Sequence, residues 1–504
     1  MTALQTALTR LPGWTAWFLC AAAGALLPLG LAPFDLWPLA LGGLVVFVVL
    51  LNGSSGRRAW WRAWGFGIGL YGAGVSWIYI SIHTYGNASA PLAAVMTALF
   101  VLFMALIFSL PFWAYGRWFS RHRLGAPLAF PAIYLLGEWL RGWLLTGFPW
   151  LYLGYAHLDT WLAGWAPLLG VLAPSLIIAL SAGLIALWLL QPGHSPRRWA
   201  LTLVVLLLWP LGAILHRVEW TQPQGQPINV GMIQPNIPQE RKWDPAFFQP
   251  TLDRLDHLSE DLWDNDWLIW PEAAIPRVYH DMLPYLEALN RKAEDTNTGL
   301  TTGIIFDDPR QGVYYNSVVG LGPALGIYHK RRLVPFGEYV PLEQYLRGLI
   351  DFFDLPTSII TRGPWEQSGL QIGDTGISAS ICYEVVYPDL VARSAIDRQV
   401  LLTISNDAWF ADSIGPLQHM QMARMRALET GRPMIRATNN GVSAFVDHHG
   451  GIEKRAEQFV ETTLEGTVQP RSGLTPFMRW GSWPVVGMCV LLLVLAGVWR
   501  RRHS

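Results

Sequence analysis

Seven strongly apolar runs, each close to the length of a bilayer crossing, crowd the first part of this chain, and an eighth lies near its end. They are Gly13–Ala32, Leu36–Leu51, Trp64–Ser81, Pro91–Tyr115, Pro127–Leu145, Leu162–Leu190, Trp199–Leu215 and, after a long polar stretch, Trp483–Val498. A spanning helix needs roughly 20 apolar residues, so the pattern predicts a multi-pass helical bundle of about eight spans. Composition agrees. Of 504 residues, 52% are hydrophobic, only 14% are charged and 27 are Trp, which is too apolar for an ordinary soluble protein. The first run has no clear small-residue cleavage site and is followed by further spans, so it reads as a span rather than a cleaved signal.

The bundle's orientation follows from its basic loops. Arg10, then Arg57, Arg58 and Arg62, then Arg117, Arg121 and Arg123, then Arg197 and Arg198, and finally Arg500, Arg501 and Arg502 fall at alternate span ends. The intervening loops, such as Pro33–Asp35 and Thr84–Ala90, carry little basic charge. All basic ends therefore share the cytoplasmic side, with both termini. The polar stretch follows an odd number of spans and lies on the opposite face. Glu138 and Arg141 interrupt the fifth run three residues apart, on one helix face. They read as a structural pair that also shapes a lipid-facing cavity.

Net charge is zero, which gives no general signal for nucleic acid. The expected organisation is a membrane domain over 1–215, a polar domain over 216–481, and a last span with a basic tail over 482–504. In the polar domain, strand-like runs at Ile228–Gln234, Trp267–Trp270, Leu300–Phe306, Tyr315–Leu321, Ile377–Cys382, Val400–Ser405, Met434–Ala437 and Val442–Asp447 alternate with helical patterns at Phe247–Leu262, Met282–Asp295 and Leu417–Gly431. That alternation predicts an α/β domain with covered sheets. The stretch from Asp351 to Gln367 reads as a long loop, a candidate lid.

Three stretches place a reactive side chain beside an apolar strand. Glu272 follows Leu268-Ile-Trp-Pro, Lys330 opens a basic cluster running into Leu333-Val-Pro-Phe-Gly-Glu338, and Cys382 ends Ile377-Ser-Ala-Ser-Ile ahead of Tyr383 and Glu384. Read singly, these are a turn carboxylate, a surface cation and a small core thiol. Together they supply a base, a cation and a nucleophile. Cys20 and Cys489 both lie in apolar runs, so Cys382 has no evident disulfide partner. His419, His448 and His449 lack an orienting motif. His448-His449 beside Asp447 and Gly450 reads as a hairpin turn, and no Cys/His spacing suits zinc, so no metal or cofactor is expected.

Trp270-Pro-Glu272, Lys330 with Pro335-Phe-Gly-Glu338, and Cys382-Tyr-Glu384, in that order, resemble the nitrilase (carbon–nitrogen hydrolase) superfamily over roughly Ile228 to Gly450. The resemblance implies an α-β-β-α sandwich and a Glu-Lys-Cys triad. With the surrounding spans, and with Gly137-Glu-Trp-Leu-Arg-Gly, Gly147-Phe-Pro-Trp-Leu, Gln234-Pro-Asn-Ile, Lys242-Trp243 and Ser405-Asn-Asp-Ala-Trp-Phe410, the whole chain resembles the apolipoprotein N-acyltransferase family. That likeness implies acyl transfer from phosphatidylethanolamine to the N-terminal amine of a diacylated apolipoprotein, through a Cys thioester, by a monomer in the bacterial inner membrane with its catalytic domain in the periplasm. It also implies supporting roles for Trp243, Glu338, Tyr383 and Glu384. Trp150, Phe352, Phe353, Asn406 and Trp409 are candidate substrate contacts. Two other classes stay open at this stage: a membrane-anchored amidase or nitrilase-type hydrolase with water as acceptor, and a transporter, which lacks repeated halves.

Overall fold

A computed structural model describes residues 11–503 except 123, 192, 194, 347 and 349–358. The chain divides into two compact units, Met1–Ile78 with Ala94–Val218 and Trp480–Ser504, and Tyr79–Ala93 with Glu219–Arg479. The short segment Tyr79–Ala93, read from sequence as part of the helical region, groups with the polar unit.

The first unit is helical. Among the described residues, four helices are long and apolar enough to cross a membrane: Gly13–Gly30, Ala90–Trp118, Leu172–Leu190 and Arg198–Leu215. A fifth is added if Gly56–Gly74 and Ile78–Tyr85 form one broken span, and Trp37–Leu51 and Trp483–Val498 are apolar but shorter. The difference from eight uniform runs has local causes. The run over 162–190 breaks at Gly170, which takes φ 74, so the long helix starts only at Leu172. The run over 127–145 stops at Arg141, because that side chain turns to hold loop backbone. Its guanidinium donates to the carbonyl of Phe148 at 3.1 Å and to that of Trp150, while Glu138 accepts from the N–H of Leu153 at 2.8 Å. The two charges thus secure the loop after their own helix. Glycines let the helices approach closely: a Cβ at Gly24 or Gly69 would collide with the carbonyl of Phe66 or Ala21. Arg10 and Arg123 lie outside the described residues.

The second unit is built on two sheets. One runs in the order Thr462–Val468, Ile228–Gln234, Trp267–Ile269, Gly299–Asp308, Val313–Leu321, Ile327–His329. The other runs Ile452–Arg455, Ala444–Val446, Met434–Thr438, Val400–Ser405, Thr375–Ile381, Leu370–Ile372, Ala324–Leu325. Strand side chains alternate between faces, and the alternation explains the layers. Ile228, Val230, Met232, Trp267 and Ile269 from the first sheet meet Ile377, Ala379, Ile381, Val400, Leu402 and Ile404 from the second in one shared core. The opposite face of the first sheet, through Ile233, Leu268 and Leu300, packs on Leu252, Leu255, Leu286 and Leu289. These come from the helices Phe248–Ser259 and Leu283–Thr296. Helices Pro388–Ser394 and Gly415–Thr430 pack on the second sheet. The result is a helix–sheet–sheet–helix sandwich. Within it, Trp267–Ile269 and Gly299–Asp308 are parallel, as are Thr375–Ile381, Val400–Ser405 and Met434–Thr438. Their carboxyl ends are where side chains meet ligands in such sheets.

Candidate active site

Glu272 follows the carboxyl end of Trp267–Ile269, and Ala273 directly after it takes φ 45. The turn lies hard against Gly303 of the neighbouring strand, where a Cβ would meet the nitrogen of Ala273 at 2.5 Å and Cα of Glu272 at 2.8 Å. Glu272 is 7% exposed. Its Oε1 accepts from Nδ2 of Asn316 at 2.8 Å and lies 3.5 Å from Nζ of Lys330. Its Oε2 accepts from the backbone N–H of Asn406 at 2.7 Å. A carboxylate gripped on both oxygens has one orientation.

Lys330 follows the carboxyl end of Ile327–His329, and its N–H donates to the carbonyl of Asn316 at 2.8 Å. Nζ donates to Oε1 of Glu338 at 2.9 Å. Asn316 reaches the same Glu338 oxygen at 2.9 Å, and Oε2 of Glu338 accepts from the N–H of Val334 at 2.8 Å. Burial alone would lower the pKa of Lys330. Glu338, Glu272 and the thiol of Cys382 outweigh it and raise the value, so the amine stays an ammonium. Asn316 thereby bridges the two carboxylates that share one cation.

Cys382 follows Thr375–Ile381 in the second sheet and takes φ 50, a conformation that L side chains rarely adopt. The turn is braced by Glu384, fully buried. Its Oε2 accepts from the N–H of Ile381 at 2.9 Å, and its Oε1 accepts from the N–H groups of Arg331 at 2.6 Å and Arg332 at 3.1 Å. Burial, then Glu272, raises the thiol's pKa well above the ordinary value, and Lys330 opposes them. At rest Cys382 is therefore a thiol, beside a carboxylate able to accept a proton and an ammonium that favours the thiolate. Glu272 and Lys330 come from one sheet and Cys382 from the other. The arrangement suits covalent acyl transfer.

The structure brings Glu272, Lys330, Cys382, Glu338 and Glu384 together. Tyr383 is buried and meets Tyr387 edge-on, with ring centroids 5.4 Å apart. Trp243 is half-buried beside Lys242. Asn406 contributes its backbone N–H to Glu272, while its side chain donates to Gln239 at 2.6 Å. Trp409, half-buried, accepts from the hydroxyl of Ser81 at 2.8 Å through its carbonyl and meets the ring of Tyr85 edge-on at 5.8 Å. Trp150 is 1% exposed within the helical unit, stacked on Phe148. Phe352 and Phe353 lie outside the described residues.

Four residues were given no role by the sequence reading. Asn316 sits inside a strand and gives no local signal. Lys242, whose Nζ donates to the carbonyl of Glu272 at 2.9 Å, was noticed only beside Trp243. Asp407 and Arg436 are charged residues buried to 1% or less. Glu219, His448 and His449 also come together, with ligand atoms within 4.8 Å of one another. The carboxylate there is already engaged by both imidazoles and by Arg471.

Comparison with known proteins covers both units. Residues 23–184 match the apolipoprotein N-acyltransferase N-terminal domain, and residues 229–476 match the carbon-nitrogen hydrolase family. The apolipoprotein N-acyltransferase of Azotobacter vinelandii is 47% identical over 499 residues, covering 97% of this chain and 96% of that one. That of Pseudomonas putida is 48% identical over 495 residues, covering 96% and 98%. That of Coxiella burnetii is 38% identical over 475 residues, covering 94% and 98%. Among solved structures, Saccharomyces cerevisiae Nit3, a member of branch 10 of the nitrilase superfamily, matches at 17% identity and TM-score 0.38, over 49% of this chain and 91% of that one.

Proposed function

The chain belongs to the apolipoprotein N-acyltransferase family, and from that premise we propose that it moves one acyl chain from phosphatidylethanolamine to the N-terminal amine of a diacylglyceryl-cysteine apolipoprotein through a thioester on Cys382. It is a transferase of a bacterial membrane. The observation that carries the mechanism is Glu272 held on both oxygens beside Lys330, with Cys382 on a strained turn coupled electrostatically to both.

Glu272 takes the proton from Sγ of Cys382, and the thiolate attacks the donor's ester carbonyl. The oxyanion of the tetrahedral intermediate faces the Lys330 ammonium and a backbone N–H after Cys382. The C–O bond breaks, the lysophospholipid alkoxide takes the proton from Glu272, and the thioester remains. The α-amine of the acceptor then attacks the thioester carbonyl and gives its proton to Glu272. The C–S bond breaks, and the thiolate takes that proton back. The products are an amide and free enzyme. Glu338, Glu384, Tyr383 and Trp243 support the triad.

Both substrates are lipids, and drawing an acyl chain into water costs about 0.8 kcal/mol per CH₂. A catalytic domain over 216–481 carried by eight spans avoids that cost. In this reading the short apolar helices Trp37–Leu51 and Trp483–Val498 and the helix Phe130–Arg141 complete the eight. The alternating Arg-rich ends put both termini in the cytoplasm and the catalytic domain on the periplasmic face of the inner membrane. The enzyme works as a monomer.

The test is intact-protein mass spectrometry of lipid-embedded enzyme with phosphatidylethanolamine, wild type against Cys382→Ser. A hydroxylamine-sensitive adduct of one acyl chain is expected on wild type alone, and a diacylated lipopeptide should discharge it onto its amine. Absence of the adduct would remove the covalent step. Discharge only to water would favour the membrane-anchored hydrolase.

A further inference from the structure

Beneath the nucleophile's turn lies a buried cluster with no part in the steps above. His419 stands on helix Gly415–Thr430, Asp407 opens the turn Asp407–Phe410, and Arg436 stands on strand Met434–Thr438. None is more than 1% exposed. Nε2 of His419 lies 3.2 Å from the carbonyl oxygen of Cys382. Nδ1 lies 3.0 Å from Oδ1 of Asp407 and 3.0 Å from Nη2 of Arg436. The same guanidinium nitrogen donates to Oδ2 of Asp407 at 2.7 Å.

A carbonyl oxygen only accepts, so this contact requires the proton on Nε2. Nδ1 then accepts from Arg436 in the neutral ring, or donates to Asp407 in the charged ring. Burial and Arg436 lower the His419 pKa against the pull of Asp407, which favours the neutral ring. Either way the N–H aimed at Cys382 is kept. What it holds is half of a rigid unit. The carbonyl of Cys382 and the N–H of Tyr383 belong to one planar peptide and point in opposite directions. Fixing the carbonyl fixes that N–H.

We infer that His419 is a positioning residue for acyl transfer: its Nε2–H anchors the Cys382–Tyr383 peptide, and so aims the Tyr383 N–H at the oxyanion that forms on the acyl carbon. Asp407 and Arg436 hold the imidazole in place. The inference rests on Cys382 being the acylated nucleophile.

Two reactions of Cys382 separate this role from general support of the fold. Acylation by phosphatidylethanolamine passes through an oxyanion, whereas alkylation by iodoacetamide needs the thiolate and no oxyanion. Both rates are read by mass spectrometry on the full chain in lipid. His419→Leu should slow acylation by about 30-fold or more, on the scale of a misplaced oxyanion donor, with alkylation within about twofold of wild type. His419→Gln, which keeps a donor of similar reach, should recover most of the loss. Should His419→Leu not fold, His419→Asn takes its place with the same expectation, its amide being too short to reach the carbonyl. Equal losses in acylation and alkylation would overturn the inference, as would a His419→Gln variant that folds yet acylates no faster than the variant lacking a donor. A wild-type enzyme that never acylates Cys382 would instead overturn the nucleophile assignment, and the inference with it.

Discussion

The backbone N–H of Asn406 donates to Oε2 of Glu272 at 2.7 Å, so main chain at the end of one sheet holds a carboxylate at the end of the other. No side-chain substitution at Asn406 removes that bond. The other oxygen depends on side chains, Asn316 at 2.8 Å and Lys330 at 3.5 Å.

Substitutions at the two asparagines should therefore differ. Asn316→Ala removes the donor that both Glu272 and Glu338 share, and a hydrogen bond to a charged group contributes about 1.5–3 kcal/mol. Single-turnover acylation is expected to fall about 10- to 100-fold. Asn406→Ala keeps the backbone bond and loses only contacts to Gln239 and Asn439. It should lower the unfolding midpoint while leaving acylation within about threefold of wild type. Equal loss of acylation in the two variants would contradict this account of the base.

Gly303→Ala should damage the site without altering any polar side chain. The added methyl would meet backbone of Pro271, Glu272 and Ala273 at 2.5 to 2.8 Å, and backbone yields only by moving. The turn carrying the base has to shift, and misplacement of a reacting group by about 1 Å costs on the order of 100-fold. Acylation should fall on that scale, with alkylation of Cys382 slowed as well because its base has moved. Unchanged kinetics in a folded variant would mean that the turn tolerates displacement.

Much of this site was legible because its parts sit where sequence signals are strong. Glu272 and Cys382 each follow a short apolar strand whose end falls within a residue of the expected one, whereas the strand Ile327–His329 ahead of Lys330 was not anticipated. Strand Thr462–Val468 was missed because every second residue faces solvent and its exposed positions are Thr and Glu. Ile275–Val278 was missed because four residues containing a proline show no period. Asn316, Asp407, Arg436 and His419 make contacts between a strand, a turn or a helix and elements that only the tertiary fold brings beside it, which local patterning does not encode. The apolar runs marked the helical region correctly, but run length alone could not reveal the break at Gly170 or the turning of Arg141 onto the loop backbone that follows its helix.

Lys242 makes a pH dependence expected. Burial lowers its pKa to about 8, against Glu272 and Cys382, which raise it. Below that value an ammonium sits on the carbonyl of Glu272 and favours the Cys382 thiolate. Above it the charge is lost. Single-turnover acylation should decline as pH rises past about 8, and Lys242→Met should lack that limb while being slower at neutral pH. Stability runs the other way. Between about 8 and the ordinary lysine value of 10.5 the unfolded chain holds a proton that the folded chain has shed, so this group makes the fold more stable as pH rises. An alkaline limb that persists in Lys242→Met would assign it to another group.

Glu384 ties the two catalytic segments together, and Glu384→Gln should reveal it. Its Oε2 accepts the N–H of Ile381, the residue before the nucleophile, and its Oε1 accepts the N–H groups of Arg331 and Arg332, the residues after the ammonium. The hydroxyl of Tyr328 lies 2.9 Å from both oxygens. Glutamine has the same shape but replaces one acceptor with an amine, so whichever way the amide turns, at least one buried N–H faces a donor. An unsatisfied buried group costs about 1–3 kcal/mol, and here the cost falls between Lys330 and Cys382. A lower unfolding midpoint is expected together with slower acylation. Tyr328→Phe removes a donor and leaves every backbone N–H satisfied. It should cost about 0.5–1.5 kcal/mol of stability with a smaller effect on acylation. A glutamine variant that melts like wild type would show that the carboxylate is not what holds the two segments in register.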